Sequence, residues 1–242
     1  MADYRYQTRA PGQSGARAEI DQGLRSYMQG VYNYMALGIA VTGIITLAVA
    51  SSPAATAAVG SLFWVFFIGI IAMGFLAPRM IFSGNTAMAH GAFWGYVALW
   101  GLAIAPMVQH YLSIDTSIVV QAFLITAVTF GATSLAGYVT KRDLSGFGAF
   151  FMMASIGILI AMLVNVFFIQ SSMMSLLTSV FVVLLFAGIT AYETQQIKEM
   201  YYAGDAPGVA KGKSIFGAFM LYGSFITLFV HILNILGIMR SE

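Results

Sequence analysis

The most constraining feature of this sequence is a series of seven long apolar segments joined by short polar connections. The segments lie at residues 31–50, 59–77, 87–107, 118–139, 150–169, 176–197 and 215–238. A helix of about 20 apolar residues crosses the ~30 Å hydrocarbon core of a bilayer. Each run is continuous rather than alternating with a period of two, which excludes a β-barrel. The sequence therefore predicts an all-α membrane protein with seven transmembrane helices.

The charge content supports this fold class. Only 8% of the residues are charged, whereas a soluble domain carries about 25% because its surface faces water. The chain has no cysteine, so disulfides and thiolate metal sites are excluded. The expected partner of most of the surface is the lipid bilayer. We expect no nucleic-acid partner.

The basic residues predict the orientation. Ten of the 11 Lys and Arg fall on one side of the predicted bundle, at positions 5, 9, 17, 25, 79, 141, 142, 198, 211 and 213. Only Arg240 falls on the other side. Cytoplasmic connections of membrane proteins carry the excess of Lys and Arg. This predicts a cytoplasmic N-terminus and, with seven spans, a C-terminus outside.

The predicted organisation is one membrane domain with two short ends. Residues 1–26 are polar and basic and are predicted to form a flexible cytoplasmic tail that becomes helical from Ala18. Residues 27–239 form the seven-helix domain, and residues 240–242 form the C-terminal end.

Glu193 is the only acidic residue well inside a predicted span, because it lies five residues before Lys198 in the sixth. An ionisable residue in a membrane is costly and is therefore a candidate for function. In one interpretation, Glu193 reaches the cytoplasmic interface or pairs with Arg79 and has a structural role. In the other, it is a proton- or cation-responsive group in a cavity that faces the cytoplasm.

The seventh span carries a polar stripe. Ser224, Thr227, His231 and Asn234 are spaced by three, four and three residues, which places them within an arc of about 80° on a helix. Such a stripe faces other helices or water rather than lipid. It either forms interhelical hydrogen bonds or lines a hydrated path.

The residues do not favour an enzyme. Ser224 and His231 could be a nucleophile and a base, but on one helix they are separated by roughly 10 Å of rise. An intramembrane aspartyl protease needs two acidic residues, and the spans offer Glu193 alone. His90, His110 and His231 fall at different predicted heights, whereas a catalytic metal needs about three convergent ligands.

Several segments together resemble the Bax inhibitor-1 family, especially its bacterial inner-membrane branch in alphaproteobacteria. The segments are AEIDQGLRSYMQGVYNYMALGIAVTG (residues 18–43), KRDLSGFGAFF (141–151), AGITAYETQQIKEMY (187–201) and LYGSFITLFVHILNILG (221–237). The resemblance implies six helices around a central seventh and a multi-pass protein of the bacterial inner membrane. It also implies either a pH-sensitive calcium leak or, as in some relatives, modulation of a membrane-embedded ATP-dependent protease. The partner of such a non-conducting regulator would be a membrane protease or another inner-membrane protein, and a purely structural membrane protein is the third alternative.

The resemblance also implies which residues matter. In the leak mechanism of the family, an aspartate on the sixth helix and one on the seventh share a proton. The first of these corresponds to Glu193 and the second to Ser224, so the carboxylate dyad is halved here. Thr227 replaces an asparagine of the family pattern, and Arg79 is the candidate for its basic residue on the second helix. The expected ion path is therefore Glu193, Ser224, Thr227, His231 and Arg79.

The halved dyad limits calcium binding. With one carboxylate, no strong calcium site is expected, because Ca²⁺ usually takes 6–8 oxygen ligands. Calcium binding should be weak, and no other cofactor is expected.

The sequence leaves open whether Glu193 and Ser224 meet. Ser224 lies about 16 Å along its helix from Lys213, and Glu193 only about 7 Å from Lys198. The two groups meet only if their helices extend by different lengths beyond the membrane.

Overall fold

A computed structural model of the protein describes the backbone of residues 12–241 and the side chains of residues 22–240. Its α-helices are α1 Gly12–Ala50, α2 Pro53–Ser61, α3 Phe63–Ile81, α4 Thr86–Ala103, α5 Ala105–Ile114, α6 Thr116–Val139, α7 Gly148–Val164, α8 Ser172–Glu199 and α9 Pro207–Ser241. A 3₁₀ turn, Ser145–Phe147, leads into α7, and a π-helical turn, Asn165–Ile169, ends it. The first eleven residues of the predicted tail lie outside the described backbone.

The predicted seven spans are confirmed within the described part of the chain. Seven helical stretches there are long and apolar enough to cross a membrane: Gln22–Ala50, Phe63–Ile81, Thr86–Ile114, Thr116–Val139, Ser145–Ile169, Ser172–Glu199 and Pro207–Arg240. α1 begins at Gly12, six residues before the predicted helical start at Ala18.

Two spans differ in detail from the prediction. The second was expected to begin at residue 59, but the chain leaves the helix at Leu62, and α3 begins at Phe63. The third is interrupted at Ile104, where α4 ends and α5 begins. Pro106 lies in the first turn of α5, where a residue without an N–H is tolerated. Hydropathy does not register breaks of one residue, because the flanking residues are equally apolar.

α9 is the central helix. It packs against α1, α3, α4, α6 and α8, whereas α7 packs mainly against α8 on the outside of the bundle. The most apolar stretch of the seventh span is 72% buried, compared with 0% for the fifth. Leu221, Tyr222, Leu228 and Leu233 of α9 are fully buried. The expectation of a central seventh helix is therefore confirmed, with α7 as the most peripheral member of the bundle.

Small residues bring the helices close together. At Gly137 of α6, a Cβ atom would lie 2.1 Å from the carbonyl oxygen of Ala191 in α8. At Gly237 of α9, it would lie 2.0 Å from the ring of Tyr111 in α5. Helices in a bilayer associate through such close packing, since lipid offers little hydrophobic driving force between them.

Polar contacts fix the ends of the bundle. We call the end formed by the starts of α1 and α9 and the ends of α3, α6 and α8 the basic end, after its Lys and Arg residues. There Lys213 pairs with Asp205 at 2.6 Å, and the ammonium group of Lys198 donates to the Tyr138 carbonyl at 3.0 Å. At the opposite end Arg240 pairs with Asp115. Hydrogen bonds from Ser117, and then the charge of Arg240, hold the pKa of Asp115 below its usual value.

Candidate functional site

The candidate site lies between the last two helices. α8 places Glu193 against α9, where the hydroxyl of Ser224 donates a hydrogen bond to Glu193 Oε2 at 2.6 Å. Ser224 is only 2% exposed, and Glu193 is partly buried. The carboxyl group therefore has a direct hydrogen-bond donor on the central helix.

The contact requires the two helices to extend by different lengths at the basic end. α8 ends at Glu199, six residues after Glu193, whereas α9 begins at Pro207, seventeen residues before Ser224. α9 therefore starts farther out than α8 ends. The side chain of Glu193 also leans towards the start of α8, which is the direction of the membrane interior. The difference in height expected from the sequence is accommodated in this way.

Arg79 does not hold Glu193 in an ion pair. Arg79 is exposed in the last turn of α3. Among the side chains of residues 22–240, the ion pairs join Lys213 to Asp205 and Arg240 to Asp115. The pairing of Glu193 with Arg79, one form of the structural interpretation, is therefore not formed as an ion pair among these side chains.

A chain of hydroxyl groups runs from α1 to α8 beside the site. The hydroxyl of Thr194, next to Glu193, donates to the Thr190 carbonyl at 2.8 Å. The Ser134 hydroxyl of α6 lies 2.9 Å from that of Thr194, and the Tyr32 hydroxyl of α1 lies 2.7 Å from that of Ser134. Since Thr194 uses its proton within its own helix, Ser134 donates to Thr194 and Tyr32 donates to Ser134. On the α4 side, Tyr96 lies within electrostatic range of Glu193.

A second polar cluster joins α8 and α9 farther from the basic end. His231 Nδ1 lies 3.0 Å from the Ser179 hydroxyl. Asn234 Nδ2 donates to Ser175 and Ser179, both at 2.9 Å. These side chains line a cavity of about 210 Å³, together with Asn165. In this half of the bundle, the stripe on the seventh span forms interhelical hydrogen bonds.

Thr227 has a local partner. Its hydroxyl donates to the carbonyl of Gly223, one turn earlier in α9, at 2.9 Å. Of the five residues predicted for the ion path, the structure therefore brings Glu193 and Ser224 together, connects His231 to Ser179, and leaves Thr227 and Arg79 without a bond to either of these groups.

Sequence reasoning missed the partners of the site. Tyr32, Ser134 and Thr194 were not singled out, and neither were Ser175 and Ser179. Serine and threonine are frequent in membrane helices, where the hydroxyl group can bond to its own helix. The available signal was the four-residue spacing of Ser175 and Ser179 on α8, which puts both hydroxyl groups on one face.

No preformed metal centre accompanies the site. In the part of the chain that the structure describes, no group of three or more His, Cys, Asp or Glu side chains could hold a metal ion. Glu193 provides a single carboxylate, and Ser224 a single hydroxyl. The arrangement can hold or release one proton and can offer two oxygen atoms to a passing cation.

The fold and the site define an integral membrane protein with a helical bundle around its last helix and one carboxyl group between its last two helices. The sequence profile of the family described as "Inhibitor of apoptosis-promoting Bax1" matches residues 24–241. The chain belongs to this family, the Bax inhibitor-1 family.

Similar proteins cover the same length. An uncharacterised protein of Rickettsia prowazekii is 38% identical over 100% of both chains. The inner membrane protein YbhL of Escherichia coli is 38% identical over 89% of this chain and 92% of its own. An uncharacterised protein of Deinococcus radiodurans is 38% identical over 89% of this chain and 91% of its own. The resemblance inferred from four segments therefore extends over the whole membrane domain.

Proposed function

We propose that the protein is a pH-sensitive cation leak of the bacterial inner membrane, in which Glu193 is the titrating group and Ser224 its neutral partner. The inner-membrane location follows from the similarity to YbhL. The observation that carries the proposal is the 2.6 Å hydrogen bond between Ser224 of the central helix and the carboxyl group of Glu193. A carboxyl group inside a span is costly and is usually retained for function.

The pair acts as a seal between α8 and α9. While Glu193 is protonated, the carboxyl group and the Ser224 hydroxyl form a neutral contact that tolerates an apolar surrounding. Once Glu193 is ionised, its charge attracts water and a cation, and the contact with Ser224 competes with hydration. Tyr96 of α4 is a titratable side chain that interacts electrostatically with Glu193. Flux therefore rises as the pH rises through the titration of Glu193.

Calcium binds only weakly to the site in this proposal. One carboxylate and one hydroxyl fall far short of the 6–8 oxygens that Ca²⁺ usually takes. The remaining ligands would be water molecules, so calcium passes without being held tightly. The pathway should consequently select weakly between the two cations, and the potassium and calcium fluxes should be of comparable size.

The test is cation flux into liposomes that contain the purified protein, measured with calcium and potassium dyes from pH 6 to 8. Wild-type protein should show a flux that increases with pH. Glu193→Gln cannot ionise, and its flux should become independent of pH. Glu199→Gln is the matched control, because Glu199 is exposed at the end of the same helix and is bonded only weakly, at 3.4 Å, to Gln196.

The opposite outcome has a defined meaning. If folded wild-type protein of known orientation shows no flux at any pH, the leak is excluded. The protein would then fit the alternative of a non-conducting regulator that binds a membrane-embedded ATP-dependent protease. A flux that Glu193→Gln and Glu199→Gln change equally would also contradict the role of Glu193.

A further inference from the structure

A cleft runs between α1 and α6, and it has two parts. Both helices pack against α9, and the hydrogen bond from Tyr32 to Ser134 bridges them. Tyr32 and Ser134 also line a cavity of about 580 Å³ that extends from this bridge towards the basic end. On the other side lies a cavity of about 420 Å³, which α5 and α9 help to line. We call the first of these the α1–α6 cavity.

The α1–α6 cavity changes in character along the membrane normal. Its deeper wall includes Met28, Phe130 and Leu135 and is mainly apolar, apart from the hydrogen-bonded hydroxyls of Tyr32 and Ser134. Gly131 also lines it, and a Cβ atom on Gly131 would meet no other atom within 4 Å. At the mouth, Arg25 lies exposed near the start of the first span. The cavity is therefore apolar in its interior and cationic at its mouth.

More positive charge surrounds the mouth. Tyr138 lines the cavity, and the ammonium group of Lys198 lies 5.2 Å from the centre of its ring. Lys141 and Arg142 follow directly after α6 ends. Among the side chains of residues 22–240, neither Arg25 nor Lys198 takes part in an ion pair. These four cations outnumber the neighbouring carboxylates of Asp143 and Glu199, so the local charge is positive where the span reaches the headgroup region.

We propose that the α1–α6 cavity binds one anionic phospholipid, with its phosphate at Arg25 and an acyl chain against Met28, Phe130 and Leu135. Basic pockets between membrane helices on the cytoplasmic side bind anionic headgroups. The guanidinium group can hold a phosphate through two parallel hydrogen bonds. An amphiphile fits the change from an apolar wall to a cationic rim within one cavity, which neither a free phosphate nor an apolar helix of a second protein does.

The experiment is native mass spectrometry of the delipidated protein, titrated with phosphatidylglycerol or phosphatidylcholine of equal chain length. Wild-type protein should bind one phosphatidylglycerol more tightly than phosphatidylcholine. Arg25→Gln should weaken that step about fivefold, the effect of about one basic residue near a membrane surface. Lys211→Gln is the matched control, because Lys211 is exposed at the same end of the bundle but outside the cavity.

A second pair of variants tests the apolar part. Gly131→Leu fills the cavity and should also lower phosphatidylglycerol binding. Gly157→Leu on the exposed face of α7 has equally open surroundings and should not. Equal binding of the two lipids, or equal loss in Arg25→Gln and Lys211→Gln, would overturn the proposal. A dimer that disappears in Gly131→Leu would assign the cavity to a second copy of the chain instead, and competition by glycerol phosphate would assign it to a soluble phosphate.

Discussion

The Glu193–Ser224 contact limits what the site can do. In the arrangement that the resemblance implies, two carboxyl groups in contact share a proton, because both cannot ionise cheaply. Here the second group is a hydroxyl that donates at 2.6 Å and does not titrate. The proton equilibrium therefore belongs to a single carboxyl group, so flux should follow one ionisation rather than the two coupled steps of a carboxyl pair.

Restoring the second carboxyl group should change both the pH dependence and the ion preference of the flux. The Ser224 hydroxyl is already in hydrogen-bonding contact with Glu193, so Ser224→Asp would place two carboxyl groups side by side. We expect the rise of flux to shift to higher pH, because two carboxyl groups in contact resist losing their last proton. We also expect a higher ratio of calcium to potassium flux, since a second charged oxygen ligand favours a divalent cation. The liposome assay measures both. Ser224→Asn is the control, because asparagine has nearly the same size as aspartate but carries no charge. An unchanged flux ratio in folded Ser224→Asp would contradict this account.

The sequence identified Glu193 but could not establish its partner. A lone acid within an apolar run is conspicuous, and its cost in the bilayer makes it a candidate at once. Its contact with Ser224 depends on how far α9 extends before the membrane. That offset depends on the start of α9 at Pro207, which a proline in the first turn does signal. It also depends on the packing of two long helices, which has no local sequence signal. The chain from Thr194 to Tyr32 was missed for the same reason.

At the level of helices, the contact between α6 and α8 determines where Glu193 lies. Gly137 allows the backbones of the two helices to meet at Ala191, two residues before Glu193. Any side chain at position 137 would clash with the backbone carbonyl of Ala191. A rotamer change cannot relieve this clash, because the clashing atom belongs to the backbone.

Gly137→Ala should therefore destabilise the protein. Overpacking of this kind costs about 1–3 kcal/mol, and each kcal/mol corresponds to about 2–4 °C for a chain of this size. Thermal unfolding in detergent, followed by intrinsic fluorescence, measures the shift. Gly131→Ala on the same helix is the control, because its Cβ would meet open space and both variants gain the same helix propensity. Equal melting temperatures for the two variants would show that the helices separate without cost at Gly137.

The number and order of the helices were predictable, but their interruptions were not. Seven apolar runs of sufficient length can be read directly from hydropathy. The break at Leu62 and the junction at Ile104 interrupt the helix without interrupting the apolar character. The peripheral position of α7 was not predicted either, because a fully apolar helix suits the lipid face and the bundle interior equally well.

At the scale of the whole molecule, two asymmetries coincide. The seventh span is buried and polar along one stripe, whereas the fifth is apolar and exposed to lipid. Of the eight Lys and Arg among the side chains of residues 22–240, seven lie at the basic end, where Arg25 and Lys198 flank the α1–α6 cavity, and Arg240 lies at the other end. The proposed lipid site and the proposed ion path therefore share the basic end, and the hydroxyl chain of Tyr32, Ser134 and Thr194 runs from the cavity to the residue that follows Glu193 in α8.

This arrangement makes sense only if the basic end faces the cytoplasm, where Lys and Arg are retained during insertion. The chain has no natural cysteine, so single cysteines can report each side. Ser83→Cys, between α3 and α4, and Ser113→Cys, near the end of α5, are both exposed. In intact cells of a Gram-negative host with a permeable outer membrane, an impermeant maleimide should label Ser113→Cys, and should label Ser83→Cys only after lysis. The reverse pattern would place the basic end outside and would exclude a cytoplasmic pH sensor at Glu193, whatever the flux measurements gave.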